Sequence, residues 1–86
     1  MQHARADYQR IQDPEGKIGA DEPVFLVRAK DLAAPAAVRE WAEENDRLGG
    51  DPAMSESARR HADQMEAWQA EHEAQIADAP AGALAQ

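Results

Sequence analysis

The stretch Leu48-Gly49-Gly50-Asp51-Pro52 separates two long runs of helix-forming residues and decides how they are arranged. Consecutive glycines are a strong stop for a helix. An aspartate followed by proline is a favoured start, because the carboxylate caps the first turn and proline fits its first position. A connection this short makes the flanking helices antiparallel neighbours. The sequence therefore predicts a helical hairpin.

The two helices of this hairpin are predicted over residues 35–48 and 52–77. The first begins at Pro35, and the second ends before Pro80. In the first helix, one face is predicted to be formed by Val38, Trp41, Ala42, Asn45 and Leu48. In the second, alternating spacings of four and three residues predict a heptad-like seam, formed by Met54, Ala58, His61, Met65, Trp68 and His72.

Residues 23–30 (Pro-Val-Phe-Leu-Val-Arg-Ala-Lys) form the compact apolar run that precedes the helices. Its segment 24–27 is apolar on both faces, which is typical of a strand buried on both sides. A strand needs hydrogen-bonded neighbours, and residues 8–12 or 16–20 are candidates for one in a small hairpin. A strand from another protomer is a candidate for the second. Residues 13–16 (Asp-Pro-Glu-Gly) predict a turn.

These patterns predict an α+β, helix-rich fold with one short buried strand followed by an antiparallel two-helix hairpin. We expect a single small domain over residues 1–78, with the strand region at 8–30 and a disordered tail at 79–86. Only 17 of the 37 hydrophobic residues are larger than alanine, and the chain has no cysteine for a disulfide. Because this core is small, we expect a homo-oligomer.

The charge distribution narrows the range of partners. The net charge is −8, and residues 31–86 carry twelve acidic and four basic side chains. Such a surface repels phosphates, so we expect no direct nucleic-acid binding. No stretch has the length of an apolar membrane span, and the N-terminus lacks the apolar core of a signal peptide, so we expect a cytoplasmic protein.

The sequence contains no recognised catalytic motif. Ser55 and Ser57 lie in the first turn of the second helix, where they solvate the helix end. His61 and His72 are eleven residues apart, about 16 Å along a helix, and so do not share a metal within one chain. They remain either solvated or hydrogen-bonded seam residues, or elements of a pH-sensitive or metal-bridged oligomer. We expect no enzyme, no cofactor and no metal site.

The best candidate site lies between Arg28 and Trp41. Arg28, Lys30 and Asp31 end the strand region directly before a helix N-terminus, whose free amides and positive dipole end favour an anion. Arg39 and Trp41 could add a fork of donors and a stacking surface to this site. The alternative is that Trp41 belongs to the core and that the two cations of the strand end pair with Glu40, Glu43 or Glu44.

A resemblance adds a direction. The run from Asp21 to Asp31 (Asp-Glu-Pro-Val-Phe-Leu-Val-Arg-Ala-Lys-Asp), followed by Ala34-Pro35, Val38 and Trp41, resembles a group of small bacteriophage and prophage proteins of uncharacterised activity. The later run from Ala62 to Trp68 is similar to their C-terminal helix. The resemblance extends over about residues 8–68 and brings no catalytic motif.

The resemblance implies an accessory phage protein that acts on host defence by binding, in the host cytoplasm. The first expectation is an oligomeric sponge that sequesters a nucleotide-derived immune signal, with Arg28 and Lys30 on its phosphates and Tyr8, Phe25 or Trp41 stacked on a base. The second is an acidic protein that mimics a nucleic acid and inhibits a basic host effector. The third is a structural or assembly accessory without a ligand.

Overall fold

The structure, a computed structural model, describes residues 2–3 and 13–72. In chain order its elements are strand β1 (Gln2–His3), strand β2 (Pro23–Val24), helix α1 (Ala34–Arg47) and helix α2 (Pro52–Glu71). The fold is helix-rich, as predicted, and α1 packs against α2. Contacts assign the described residues up to Leu26 to one compact unit and those from Val27 onward to a second, and we describe each by itself. A single domain over residues 1–78 stays a prediction, and the tail at 79–86 lies outside the described residues.

In the N-terminal unit, β1 and β2 pair in parallel, with Gln2 opposite Pro23 and His3 opposite Val24. The predicted partner segment 16–20 forms no strand, and the alternative segment 8–12 lies outside the described residues. The predicted turn at residues 13–16 is confirmed, because the amide of Gly16 donates to the carbonyl of Asp13 at 3.0 Å. The Asp13 carboxylate accepts from the amides of Lys17 and Ile18, at 3.1 and 2.8 Å.

Burial of the strand on both sides is not confirmed. Phe25 is 72% exposed, and Val24, Leu26 and Val27 are only half-buried. The regular pairing ends after Val24, so the apolar run does not continue as a strand through residue 27. A ladder of two residues per strand has no extended face for another layer to cover, which explains why the apolar side chains remain accessible.

The connection between the helices forms as the sequence predicts. Gly49 adopts a left-handed conformation (φ 80°), and its amide donates to the carbonyl of Asp46 at 3.1 Å. The Gly50 amide donates to the carbonyl of Asn45 at 2.7 Å, which completes a Schellman ending for α1. The Asp51 carboxylate then accepts from the amide of Ala53 at 2.9 Å and caps α2.

The second helix ends six residues earlier than predicted, at Glu71 rather than residue 77. The backbone of His72 is extended (φ −128°, ψ 165°), and its ring nitrogen Nδ1 lies 2.8 Å from the carbonyl oxygen of Trp68. The imidazole also stacks on the Trp68 ring, with centroids 4.0 Å apart. The side chain of His72 thus satisfies a carbonyl that a further helical turn would otherwise bond.

Three side-chain contacts fix α1 and α2 as antiparallel. Near the connection, Asn45 donates to Ser55, and further away Arg59 donates to Asp46. Furthest from the connection, Arg39 contacts Asp63. The sequence separation of the paired residues therefore grows steadily along the two helices, as an antiparallel hairpin requires.

Small residues form the interior between the helices. Ala34, Ala42, Ser55 and Ala62 are fully buried, and Met65 is 8% exposed. The predicted face of α1 is correct for Ala42, which is buried, and for Val38 and Asn45, which are partly buried. It is wrong for Trp41 and Leu48, which are 49% and 70% exposed.

The seam of α2 is rotated relative to the prediction. The predicted seam is correct at Ala58 and Met65 but wrong at the exposed positions, namely Met54, His61, Trp68 and His72. The observed seam is formed by Ser55, Ala58, Ala62, Met65 and Gln69, which lie at the same alternating spacing. Apart from Met65, the residues at the buried positions are small, and both tryptophans are exposed.

A polar cluster holds the helices together at the connection. The Asn45 carboxamide nitrogen donates to Ser55 Oγ at 2.8 Å and to the carbonyl of Asp51 at 3.2 Å. A Cβ added to Gly50 would overlap the Asn45 carboxamide, so any other residue at this point would have to displace that side chain. The cluster therefore satisfies the buried Ser55 hydroxyl and requires a close approach of the backbone.

The same cluster extends to an ion pair. The Asp46 carboxylate accepts a hydrogen bond from Ser55, and Arg59 Nη2 lies 2.6 Å from its Oδ2. The hydrogen bond from Ser55 and then that from Arg59 lower the pKa of Asp46 below its ordinary value. A carboxylate with a lowered pKa in the folded state stabilises the fold above its unfolded pKa, and this contribution is lost as the pH falls through the folded pKa.

We predict that Asp46→Asn lowers the free energy of unfolding by an amount that depends on pH. The difference between the native chain and the variant should be constant above about pH 5 and should shrink as the pH falls below about 4. Urea unfolding at a series of pH values, followed by circular dichroism, measures it. A difference that is the same at neutral pH and at pH values below about 3 would contradict this role of Asp46.

Candidate functional site

The predicted anion site begins at a tight turn before α1. The amide of Asp31 donates to the carbonyl of Arg28 at 2.9 Å, which closes the turn over residues 28–31. The Asp31 carboxylate accepts from the amide of Ala33, and the Asp31 carbonyl accepts from the amide of Ala34, both at 2.9 Å. Because Pro35 has no amide hydrogen, Asp31 already uses two of the donors on which the predicted anion site depends.

The turn is also fixed to the far end of the hairpin. The Gln69 carboxamide nitrogen donates to the carbonyls of Ala29 and Asp31, each at 2.9 Å. Both carbonyls therefore point toward α2 and are satisfied by one side chain. The turn that carries Arg28 and Lys30 is held in place by this contact.

Arg28 and Lys30 are the two cationic side chains that remain available in this region. Both are exposed, and neither forms an ion pair with another residue of the described segment 13–72. The alternative pairing with glutamates of α1 therefore does not form within that segment. Anion binding by Arg28 and Lys30 stays a prediction.

Arg39 is committed to α2 rather than to this turn. Its guanidinium lies 2.9 Å from Asp63 Oδ1 and also contacts Glu66. The hydrogen bonds to Asp63 and then to Glu66 raise the pKa of Arg39 above its ordinary value, so it stays cationic and paired. Trp41 follows two residues later, about 200° around the helix axis, and therefore lies on the opposite side of α1. Arg39 and Trp41 do not converge on one ligand.

The predicted site residues are thus only partly brought together. Arg28, Lys30 and Asp31 share one turn, whereas Trp41 lies away from Arg39 and is 49% exposed rather than part of the core. Phe25 is exposed and belongs to the N-terminal unit, and Tyr8 lies outside the described residues. Stacking of Tyr8, Phe25 or Trp41 on a base stays a prediction.

One side of the hairpin, which we call the ion-pair face, carries the contacts that cross between the helices. On α1 it presents Arg39 and Asp46, which are seven residues apart. On α2 their partners are Arg59, Asp63 and Glu66. Because these pairs join the two helices directly, they mark a single side of the hairpin.

The other side is rich in large apolar residues, and we call it the tryptophan face. The ion-pair face includes positions 39 and 46 on α1 and positions 59 and 66 on α2. The residue two positions after each of these lies about 200° around the axis of the same helix. These four are Trp41, Leu48, His61 and Trp68, and Met54 lies seven residues before His61. Trp41, Leu48, Met54 and Trp68 are 49%, 70%, 55% and 37% exposed, and His61 is exposed as well. The hairpin thus has an aromatic and apolar side opposite its ion pairs.

Sequence reasoning found the seven-residue spacing of this face but assigned it to the interior. It missed Asn45, Ser55 and Gln69 as polar anchors. Two signals were available in the sequence. Ser55 lies at the same helical spacing as Ala62 and Met65, and Asn45 and Gly50 both lie close to the connection between the helices. Within residues 13–72, no group of three metal-ligating side chains is placed to hold an ion, and neither helix combines the length and apolarity of a membrane crossing.

Comparison with known proteins finds no relative. The chain matches no protein-family model, no curated protein and no solved structure.

Proposed function

We propose that this protein acts by binding another protein, and that the tryptophan face is its binding surface. One observation carries the proposal: the hairpin buries alanine and serine between its helices and leaves two tryptophans, a leucine and a methionine accessible. Contiguous exposed apolar surface of this kind is typical of interaction sites. Tryptophan and methionine are also enriched at protein interfaces, where tryptophan often contributes most of the binding energy.

The tryptophan face is also suited to binding because it is already organised. Trp68 is held by its stack with His72, and the helices that carry the face are locked by the Asn45 cluster. A partner would therefore order few side chains on this surface when it binds, which lowers the entropic cost of association. The resemblance to small phage proteins favours a host protein as the partner.

A site-specific crosslinking experiment tests the proposal. A photoreactive phenylalanine analogue at position 48, which is 70% exposed on the tryptophan face, should yield a covalent product with a second protein in cells that make the chain. The same analogue at position 67, which is exposed one residue before Trp68, is the matched control and should yield little product. Equal products at both positions, or none at position 48, would contradict the proposal.

The nucleotide sponge is the second candidate, and a different observation favours it. Arg28 and Lys30 are exposed and form no ion pair within residues 13–72, and their turn is anchored by Gln69. Phosphate is a strong partner for such a pair of free cations. The candidate ranks lower because Arg39 and the first amides of α1 are already engaged.

Calorimetric titration with a cyclic dinucleotide tests the sponge. The native chain should bind with micromolar affinity, and Arg28→Ala or Lys30→Ala should weaken binding about tenfold or more through the loss of a charge-assisted hydrogen bond. Arg60→Ala, which removes an exposed arginine from α2, is the control and should leave binding unchanged. A native chain that releases no heat with any nucleotide would rule the sponge out.

A further inference from the structure

We infer that the occupant of the tryptophan face is a basic amphipathic α-helix of the partner protein. This inference rests on the proposed function and specifies the chemistry of the partner. The arrangement of the apolar residues indicates that the occupant is a helix. The charges of the hairpin indicate that this helix has basic flanks.

The shape of the face fits a helix. Trp41 and Leu48 form one row on α1, and Met54, His61 and Trp68 form a second row on α2. Each row repeats every seven residues, so it stays nearly parallel to its helix axis. The row on α2 is about 21 Å long, which matches about four turns of a partner helix. A helix lying between the two rows would contact both, as in other helix-in-groove complexes.

The charge around the face determines the flanks of that helix. All four arginines between residues 34 and 72 are engaged in ion pairs within the hairpin, and Arg39 and Arg59 lie on the ion-pair face. The same range holds nine carboxylates, of which four have no ion pair within the described segment, namely Glu40, Glu43, Asp51 and Glu71. An approaching helix therefore meets an apolar strip in a negative field, and lysine or arginine on its flanks would be attracted.

The charge of the hairpin also disfavours a second copy of this chain as the occupant. Each copy carries a net charge of −8, and the arginines of its hairpin are already paired. Two copies meeting face to face would bring two net-negative hairpins together, and Arg28 and Lys30 are the only cations within residues 27–72 that are not already in an ion pair. The homo-oligomer expected from the small core stays a prediction, and it requires a different contact surface if this inference is correct.

Two synthetic peptides provide the test. The first has about 18 residues, with leucine at helical spacing on one face and lysine on the flanks. The second replaces every lysine by glutamate. The native full chain is titrated with each while tryptophan fluorescence is recorded, because Trp41 and Trp68 lie in the proposed contact. The lysine peptide should bind with micromolar affinity, at least about tenfold more tightly than the glutamate peptide, and added salt should weaken it.

Variants then assign the binding to the face. Leu48→Gln and Met54→Gln each remove an exposed apolar side chain and should weaken binding of the lysine peptide roughly tenfold. Ala67→Gln adds the same amide on the neighbouring surface of α2 and should leave the affinity unchanged. Circular dichroism of each variant confirms that the helices are intact.

The outcomes separate this inference from the proposed function. Equal affinity for both peptides overturns the basic flanks, and no binding of either peptide overturns the helix, while a crosslink at position 48 would still support a protein partner. Sedimentation equilibrium covers the remaining case. If the native chain is a dimer and Leu48→Gln is a monomer, a second copy occupies the face and the inference is wrong.

Discussion

The close approach of α1 and α2 at their connection determines the rest of the hairpin. The Asn45 carboxamide bonds to Ser55 and to the backbone of Asp51, and Gly50 leaves the space that this carboxamide occupies. The residues buried between helices held this closely are mainly alanine and serine, with the larger Met65 among them. The interior of the hairpin is therefore well packed but contributes little apolar burial, because alanine carries a single methyl group.

This constraint explains both faces of the hairpin. Large apolar residues that do not fit between the helices lie to one side, and the arginines and carboxylates of the other side pair across the gap. Helix caps, the Asn45 cluster and ion pairs add to this limited apolar contact, although each ion pair is solvent-exposed and contributes little by itself. The exposed tryptophans are thus a consequence of how the helices are held, and they leave the protein with a ready surface for a partner.

The sequence predicted the local features well and the packing less well. The glycine pair, the Asp51 cap and the turn at residues 13–16 were predictable because their conformations depend on neighbouring residues alone. The seam was misassigned because the hydrophobic pattern favoured Trp68 over Ala62 as an interior residue. In the structure the smaller side chain, Ala62, is the one that is fully buried. In the candidate site, Asp31 was recognised, but the bond that its carboxylate accepts from the Ala33 amide depends on a turn geometry that residue types do not specify.

A double-mutant cycle on Gly50 and Asn45 tests the account most directly. Gly50→Ala should lower the free energy of unfolding by about 1–3 kcal/mol, since the new methyl group displaces the carboxamide and removes the hydrogen bond that it donates to the buried Ser55. In the Asn45→Ala background the same change should cost almost nothing, because the group it displaces is absent. Gly19→Ala, whose Cβ would make only ordinary contacts, is the control. Additive costs, or a Gly50→Ala variant as stable as the native chain, would contradict the claim that this contact sets the helix spacing.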